Sequence, residues 1–417
     1  MTDAPAQRLL PLAWMTAGAT LSLLRALTAG GAEVRFVGGS VRDACLGRAV
    51  KDIDLGTTET PDVVLRRLND AGIHAVPTGF EHGTVTAVVE HRPFEITTLR
   101  RDVSTDGRRA VVAFTTDWRE DAARRDFTFN AMSAAPDGAL YDYFGGREDL
   151  QAGRVRFVGD PEARIREDVL RLLRFFRFNA HYGKGAPDKA GLEACRRLAP
   201  LLPQLSGERL QQETLRLLQA PDPMPVLKLM REAGVLAAYL AEAKRLDRLA
   251  ALIGIEAAAE AGADAVLRLA ALIAGGKAAA QEVAGRLRLS NAARDRLAFL
   301  AEPPIDMTPA LIGSDRRRAF NRLDDAARRD LVLLAWAEAG SRGALPQSAR
   351  DSWGAFCAAA LAWKRIEFPL KGRDALALGV ASGERVGDLI DAVRAWWEEG
   401  DFRAGREECL AELKKRI

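Results

Sequence analysis

Cysteine and histidine occur only four times each in this chain of 417 residues. Cys45, Cys195, Cys357 and Cys409 lie far apart with no C-x-x-C spacing. That excludes a disulfide-built scaffold and a zinc site, and it predicts reduced structural thiols in a cytoplasmic protein. His74, His82, His91 and His181 show no metal-ligand spacing. No apolar run reaches the roughly 18 residues of a membrane span, so no membrane association is expected. The apolar patch over residues 9–27 is interrupted by Arg25, follows no basic segment and offers no A-x-A cleavage site. It reads as an amphipathic helix stopped at Gly30-Gly31, and no signal peptide is expected. Charge of one sign is lacking too: 60 basic against 57 acidic residues leave a net +3. Any nucleic-acid affinity must then come from local patches. There is no G-x-S-x-G, no Walker A and no Rossmann fingerprint. Nothing in the sequence calls for an obligate protein partner.

What is present is a soluble, globular composition, 48% hydrophobic with 6% aromatic residues. The length suggests about two to four domains. The first 150 residues mix two patterns. Residues 33–37, 52–55, 84–89 and 94–99 read as strands, the last two joined as a hairpin through residues 90–93. Residues 61–71 read as a helix capped by Thr60. Hairpins favour a mixed or antiparallel sheet over a doubly wound parallel one. Beyond about residue 160 only helical spacing remains, cut by prolines at 200–203, 221–225, 303–304 and 369. Ala-rich residues 250–280 read as helix packing.

Gly38-Gly39-Ser40-Val41-Arg42-Asp43 precedes Lys51-Asp52-Ile53-Asp54-Leu55. A Gly-Gly turn exposes backbone N–H groups to an anion, and Arg42 suits a phosphate. Strand alternation places Asp52 and Asp54 on one face, where two carboxylates can bind a divalent metal. Metal and phosphate cradle together equip a chain for phosphoryl or nucleotidyl transfer. The alternative is a solvated edge strand. Glu95 alternates with Phe94, Ile96 and Thr98; it would complete a metal site, orient an attacking hydroxyl, or simply face solvent. In Arg124-Arg125-Asp126-Phe127-Thr128-Phe129-Asn130-Ala131, arginine suits triphosphate oxygens while Asp126 and Asn130 suit ribose hydroxyls. A helix start capped by Asp126 or Thr128 is the alternative. Residues 167–177 read as one helix with Val169, Leu172, Leu173 and Phe176 as the buried stripe. Asp168, Arg171, Arg174 and Arg177 lie off that stripe. A carboxylate beside an arginine suits the Watson–Crick edge of a base. The competing reading is an intramolecular ion-pair ladder.

In this order the motifs resemble class II tRNA nucleotidyltransferases of the DNA polymerase β superfamily, the CCA-adding enzymes. The resemblance rests on residues 38–43 with Asp52 and Asp54, then 124–131, 142–150, 167–174 and 206–209. It extends more loosely to residues 369–372 and 378–380. It implies an α+β fold: a nucleotidyltransferase head with a mixed or antiparallel sheet over residues 1–150, then an all-α neck (151–220), body (221–330) and tRNA-binding tail (331–417). It also implies that Asp52 and Asp54 hold Mg²⁺, while the third carboxylate, Glu95, rests on the strand reading alone. Gly38, Gly39, Arg42 and Arg125 would contact the incoming nucleotide, CTP or ATP. Asp126 and Asn130 would face its ribose 2′-OH. Asp168 and Arg171 would pair with the base, supported by Arg174 and Arg177. The implied partner is tRNA, whose 3′-OH attacks the α-phosphate. Bacterial poly(A) polymerases share most of these motifs, although residues 77–86 look more like the CCA-adding branch. Enzymes adding only CC or only A, and a catalytically dead RNA-binding protein, are the remaining alternatives.

Overall fold

The computed structural model describes residues 5, 7–8, 12–50, 52–106, 109–259 and 261–417. Lys51 and residues 9–11 of the apolar patch lie outside the described residues. The chain forms two compact units, Met1–Ala241 with Arg286–Arg288, and Glu242–Gly285 with Leu289–Ile417.

The first unit is built on an eight-stranded sheet. Its strands are β1 (Gln7–Arg8), β2 (Val34–Val37), β3 (Asp54–Thr57), β4 (His74–Gly79), β5 (Thr84–Val89) and β6 (Arg92–Thr98). A separate hairpin, β7 (Arg100–Asp106) and β8 (Arg109–Phe114), follows, and β9 (Ser133–Ala134) and β10 (Ala139–Tyr141) return to the sheet. The order is β1-β10-β9-β2-β3-β6-β5-β4. Only β3 and β6 pair in parallel among the described strands. The sheet is therefore mixed, as hairpin chemistry predicts. The β5–β6 turn is tighter than expected: Val89 pairs with Arg92, leaving Glu90 and His91, both at positive φ, as a two-residue loop. Two left-handed residues match the right-handed twist of the strands.

Helices α1 (Gly18–Thr28), α2 (Gly39–Cys45), α3 (Pro61–Asp70), α4 (Trp118–Ala123) and α5 (Gly146–Ala152) belong to this sheet domain. Thr60 precedes α3 but makes no side-chain cap. α1 and α3 pack on each other and on β2, β4 and β5. β2 is buried throughout even though it carries Arg35. The Arg35 guanidinium lies 3.5 Å from the Tyr141 ring centre and 4.3 Å from that of Trp118, and it donates to Tyr143 Oη and Glu33. Stacking and pairing replace the lost water. Gly56 on β3 lets the Trp118 ring approach, since a Cβ there would stand 3.0 Å from it.

Six helices complete the unit: α6 (Pro161–Glu167), α7 (Leu170–Tyr182), α8 (Lys189–Leu198), α9 (Gly207–Leu218), α10 (Met224–Glu232) and α11 (Val235–Tyr239). α7 packs on α9 and α10, and α6 on α8. A ring cluster of Phe127, Phe129, Phe157, Phe175 and Phe178 joins α7 to the sheet domain.

The second unit is helical: α12 (Leu246–Ala258), α13 (Ala265–Leu272), α14 (Gly276–Arg286), α15 (Asn291–Ala301), α16 (Gly313–Asn321), α17 (Asp325–Ser341), α18 (Gln347–Ala362), α19 (Gly372–Ala377), α20 (Glu384–Glu399) and α21 (Arg406–Arg416). α17 packs on α12 and α18. Arg328 is 1% exposed and donates to the carbonyls of Phe320, Leu323, Ala360 and Trp363. One guanidinium thus satisfies the ends of α16 and α18. The last helices share a core of Leu370, Val380, Ile390, Val393, Trp397, Cys409 and Leu413. Among the described residues, no helix is long and apolar enough to cross a membrane.

Candidate functional site

β3 opens at Asp54, which stands opposite Glu95 in the parallel register with β6. Phe94, Ile96 and Thr98 are buried, and Glu95 is exposed on the other face. Asp52 differs from expectation. It sits in an exposed bend before the strand, so strand alternation does not set its direction. The reason is pairing: β2 ends at Val37, and its register reaches Leu55 but no further back. Asp52 is still close enough to be felt. Burial first, and the Glu95 charge next, push the Asp54 carboxyl up to about 6; Arg125 opposes them and Asp52 adds to the rise. Such accumulated negative charge suits a divalent cation, and Mg²⁺ prefers these hard oxygen donors. Among the described residues no three ligating side chains converge on a metal position. Mg²⁺ is commonly held by one or two carboxylates plus substrate phosphates, so the donor set fits that use.

Gly38 turns the chain from β2 into α2 at φ 67°, a conformation glycine tolerates best. A Cβ at Gly38 would lie 3.2 Å from Arg125 Nη1 and 3.9 Å from Asp54 Oδ2. The turn therefore borders both a phosphate-type cation and the carboxylate. No side chain caps α2.

From there a polar chain crosses the site. Arg42 pairs with Asp43 and donates to Asn130 Oδ1 at 2.9 Å, with its guanidinium 4.5 Å from the Tyr182 ring centre. Asn130 donates to Asp126 Oδ1 at 3.0 Å, and Arg174 donates to Asp126 Oδ2 at 2.7 Å. Burial alone would raise the Asp126 carboxyl, but the Arg174 charge and the Asn130 hydrogen bond hold it below the usual range. Asp126 is therefore held by its neighbours and does not cap a helix. Asp121 is 3% exposed and accepts from Arg124 and Arg125 and from the Arg100 backbone N–H at the root of the β7–β8 hairpin.

Residues 167–177 do not form one helix. α6 ends at Glu167, Asp168 is extended (φ −152°, ψ 105°), and α7 begins at Leu170. Periodicity misses the break because Val169, Leu172, Leu173 and Phe176 are all buried as a continuous helix would bury them. The ion-pair reading is realised in part. Arg171 pairs with Glu167 Oε2 at 2.5 Å, Arg177 with Glu213 Oε2 at 2.5 Å, and Asp168 with Arg209. Arg177 is 9% exposed and Glu213 2%, so that pair is structural.

These groups line one cavity of about 590 Å³, within the usual range for small-ligand sites. Its lining includes Gly38, Gly39, Arg42, Asp54, Arg125, Asp126, Asn130, Asp168, Arg171, Arg174 and Arg177. Eight arginines face three aspartates there, a formal excess of five positive charges against three for the whole chain. Asp52 and Glu95 are not among the lining residues. Arg124, read with Arg125 as suiting triphosphate oxygens, lines it too, and so do Arg209, Arg216, Leu170 and Phe178, to which the sequence gives no role. Asp121 was detectable, since it lies one helical turn before Arg125. Glu213 was not, because only the tertiary packing of α9 on α7 brings it to Arg177.

Two family models match the chain. Residues 34–156 match the poly A polymerase head domain, and residues 186–246 match a family described as the probable RNA and SrmB-binding site of polymerase A. The human mitochondrial CCA tRNA nucleotidyltransferase 1 is 34% identical over 398 residues, covering 92% of this chain and 87% of that protein. The chain belongs to the CCA tRNA nucleotidyltransferase family. A CCA-adding enzyme of Geobacillus thermodenitrificans is 38% identical over 224 residues, 53% of this chain and 54% of that one. Among solved structures, the Bacillus stearothermophilus CCA-adding enzyme in complex with CTP is 28% identical, with a TM-score of 0.71 over 95% of this chain and 96% of that one. That score over nearly the whole of both chains shows that this chain shares its overall fold with that neighbour.

Proposed function

We propose that this enzyme adds or repairs the 3′-terminal CCA of tRNA from CTP and ATP without a nucleic-acid template, releasing pyrophosphate. The observation that carries the reading is an arginine-rich cavity bordered by Asp54, with Glu95 next to it in the sheet. A triphosphate needs the first and a nucleotidyl-transfer centre the second.

Gly38, Gly39, Arg42 and Arg125 bind the triphosphate. Asp126 and Asn130 meet the ribose hydroxyls, which selects ribonucleotides. Asp168 accepts from the exocyclic amino group of C or A, and Arg171 donates to the neighbouring ring nitrogen. Arg174 and Arg177 support that pair. Asp52 and Asp54 would hold Mg²⁺, which when bound polarises the α-phosphate and favours loss of the attacking hydroxyl's proton. Glu95 orients the tRNA 3′-OH. The 3′ oxygen forms its bond to the α-phosphorus as the bond to pyrophosphate breaks. The four free thiols, three of them buried, suit a reducing cytoplasm.

Purified full-length protein is incubated with tRNA transcripts ending before CCA, after CC and after CCA, each with CTP, ATP or both. Extension that stops after CCA is the expected result. A long adenylate ladder on any RNA would move the chain to the poly(A) polymerase branch. Addition of only C or only A would mark a split-function enzyme, and no incorporation a binding protein.

A further inference from the structure

We infer that Arg209 is a specificity-determining positioning residue that acts through Asp168. The inference rests on the reading above in which Asp168 and Arg171 contact the base.

Asp168 lies in the extended link between α6 and α7, so no helix fixes its side chain. Two contacts orient it. Its Oδ1 accepts from the Leu170 backbone N–H at 3.1 Å. Arg209 Nη2 reaches Oδ1 at 2.9 Å and Oδ2 at 2.8 Å. Arg171 is held separately, by Glu167 at 2.5 Å and by the carbonyls of Arg164 and Arg124 at 3.0 and 3.2 Å. The proposed acceptor and donor are thus each tied to a different partner and kept from pairing with one another.

That separation matters for reading a base. Cytosine and adenine both present an amino donor beside a ring-nitrogen acceptor. Uracil and guanine present a carbonyl beside an N–H. An acceptor and a donor fixed side by side therefore choose C and A and reject U and G. With Arg209 gone, Asp168 keeps the pull of Arg174 in α7, which already feels its charge. The carboxylate would swing toward α7 and stop being a free acceptor.

Arg209 also stands on a firm base. It belongs to the first turn of α9, which packs on α7. Gly207 in that turn sits so close to the chain that a Cβ would lie 2.3 Å from the Arg286 carbonyl oxygen. A rigid support is what a selecting group needs.

The test is kcat/KM for CTP, UTP, ATP and GTP on tRNA transcripts, for wild type, Arg209→Ala, Arg209→Lys, Asp168→Ala and the Arg209→Ala/Asp168→Ala double variant. Tripolyphosphate inhibition is measured alongside, and thermal melts report folding. Arg209→Ala should lower the CTP-to-UTP and ATP-to-GTP preferences at least about tenfold, with no further loss in the Asp168→Ala background. Tripolyphosphate inhibition should stay within about twofold of wild type, because the triphosphate contacts are untouched. Both Asp168 contacts come from one nitrogen, so Arg209→Lys should recover part of the preference; this variant also carries the test if Arg209→Ala melts early. Lost preference in Asp168→Ala but not in Arg209→Ala would overturn the inference and leave the base reading intact. Unchanged preference in both would overturn the base reading itself. Additive losses in the double variant would show that Arg209 acts on substrate directly, and so overturn the positioning role.

Discussion

At the scale of single residues, Asp54 shows function working against stability. Its carboxyl titrates at about 6 in the fold, against about 3.9 in an unfolded chain. The folded state thus holds the proton more tightly, and ionisation penalises folding. The penalty is absent below about pH 4, grows through the window between the two values and is complete above about pH 6. About two pKa units correspond to about 3 kcal/mol. Without added metal, Asp54→Asn should therefore melt a few degrees above wild type at pH 7.5 and together with it at pH 4, while losing nucleotide incorporation. MgCl₂ should raise the wild-type melting temperature at pH 7.5 and leave that of Asp54→Asn unmoved. Equal melting of the two proteins at pH 7.5 without metal would show that neither burial nor like charge penalises the ionised carboxyl at this position.

At the scale of elements, the important joints are those that bring separate segments onto one side chain. Asp121 joins α4 to the root of the β7–β8 hairpin and fixes Arg125 from behind. Asp121→Ala leaves two guanidinium groups without their buried carboxylate, which should destabilise the first unit by about 3 kcal/mol in denaturant melts. Asp121→Asn keeps an acceptor for the Arg100 N–H but loses the charge. It should raise KM for CTP and ATP alike, by about tenfold, without changing the choice between bases. A change in base preference would instead link the hairpin to base selection. Such joints explain what the sequence makes legible. Gly38-Gly39, Arg125-Asp126 and Asn130 stand out because dense polar residues in short segments have a local chemical meaning, and they do line the cavity. Hairpin and helix periodicities likewise anticipate the mixed sheet and the helical second half. The interruption at Asp168 is invisible because both flanking helices bury the same apolar stripe. The role of Arg209 and the Arg177–Glu213 pair are hidden as well, since their partners lie 41 and 36 residues away along the chain.

At the scale of the whole molecule, the decisive quantity is where charge is placed. A net +3 over 417 residues gives a weak overall field, yet the cavity lining alone carries five positive charges in excess. The two substrates should therefore respond differently to salt. A nucleotide enters a part-buried site whose charges are screened less than surface ones. A tRNA held through surface phosphate contacts would release condensed counterions at each contact. Raising KCl from about 50 to about 200 mM should weaken tRNA binding at least about tenfold, read by filter binding without nucleotide. Over the same range KM for CTP at saturating tRNA should rise no more than about threefold. Asp54→Asn should bind tRNA as tightly as wild type at each salt, because phosphate contacts and the transfer chemistry are separable. Parallel salt slopes for tRNA and CTP would mean that the cavity is as open to solvent as the surface. Salt-independent tRNA binding would mean that apolar or base-specific contacts carry the affinity, and that the arginine excess serves the triphosphate alone.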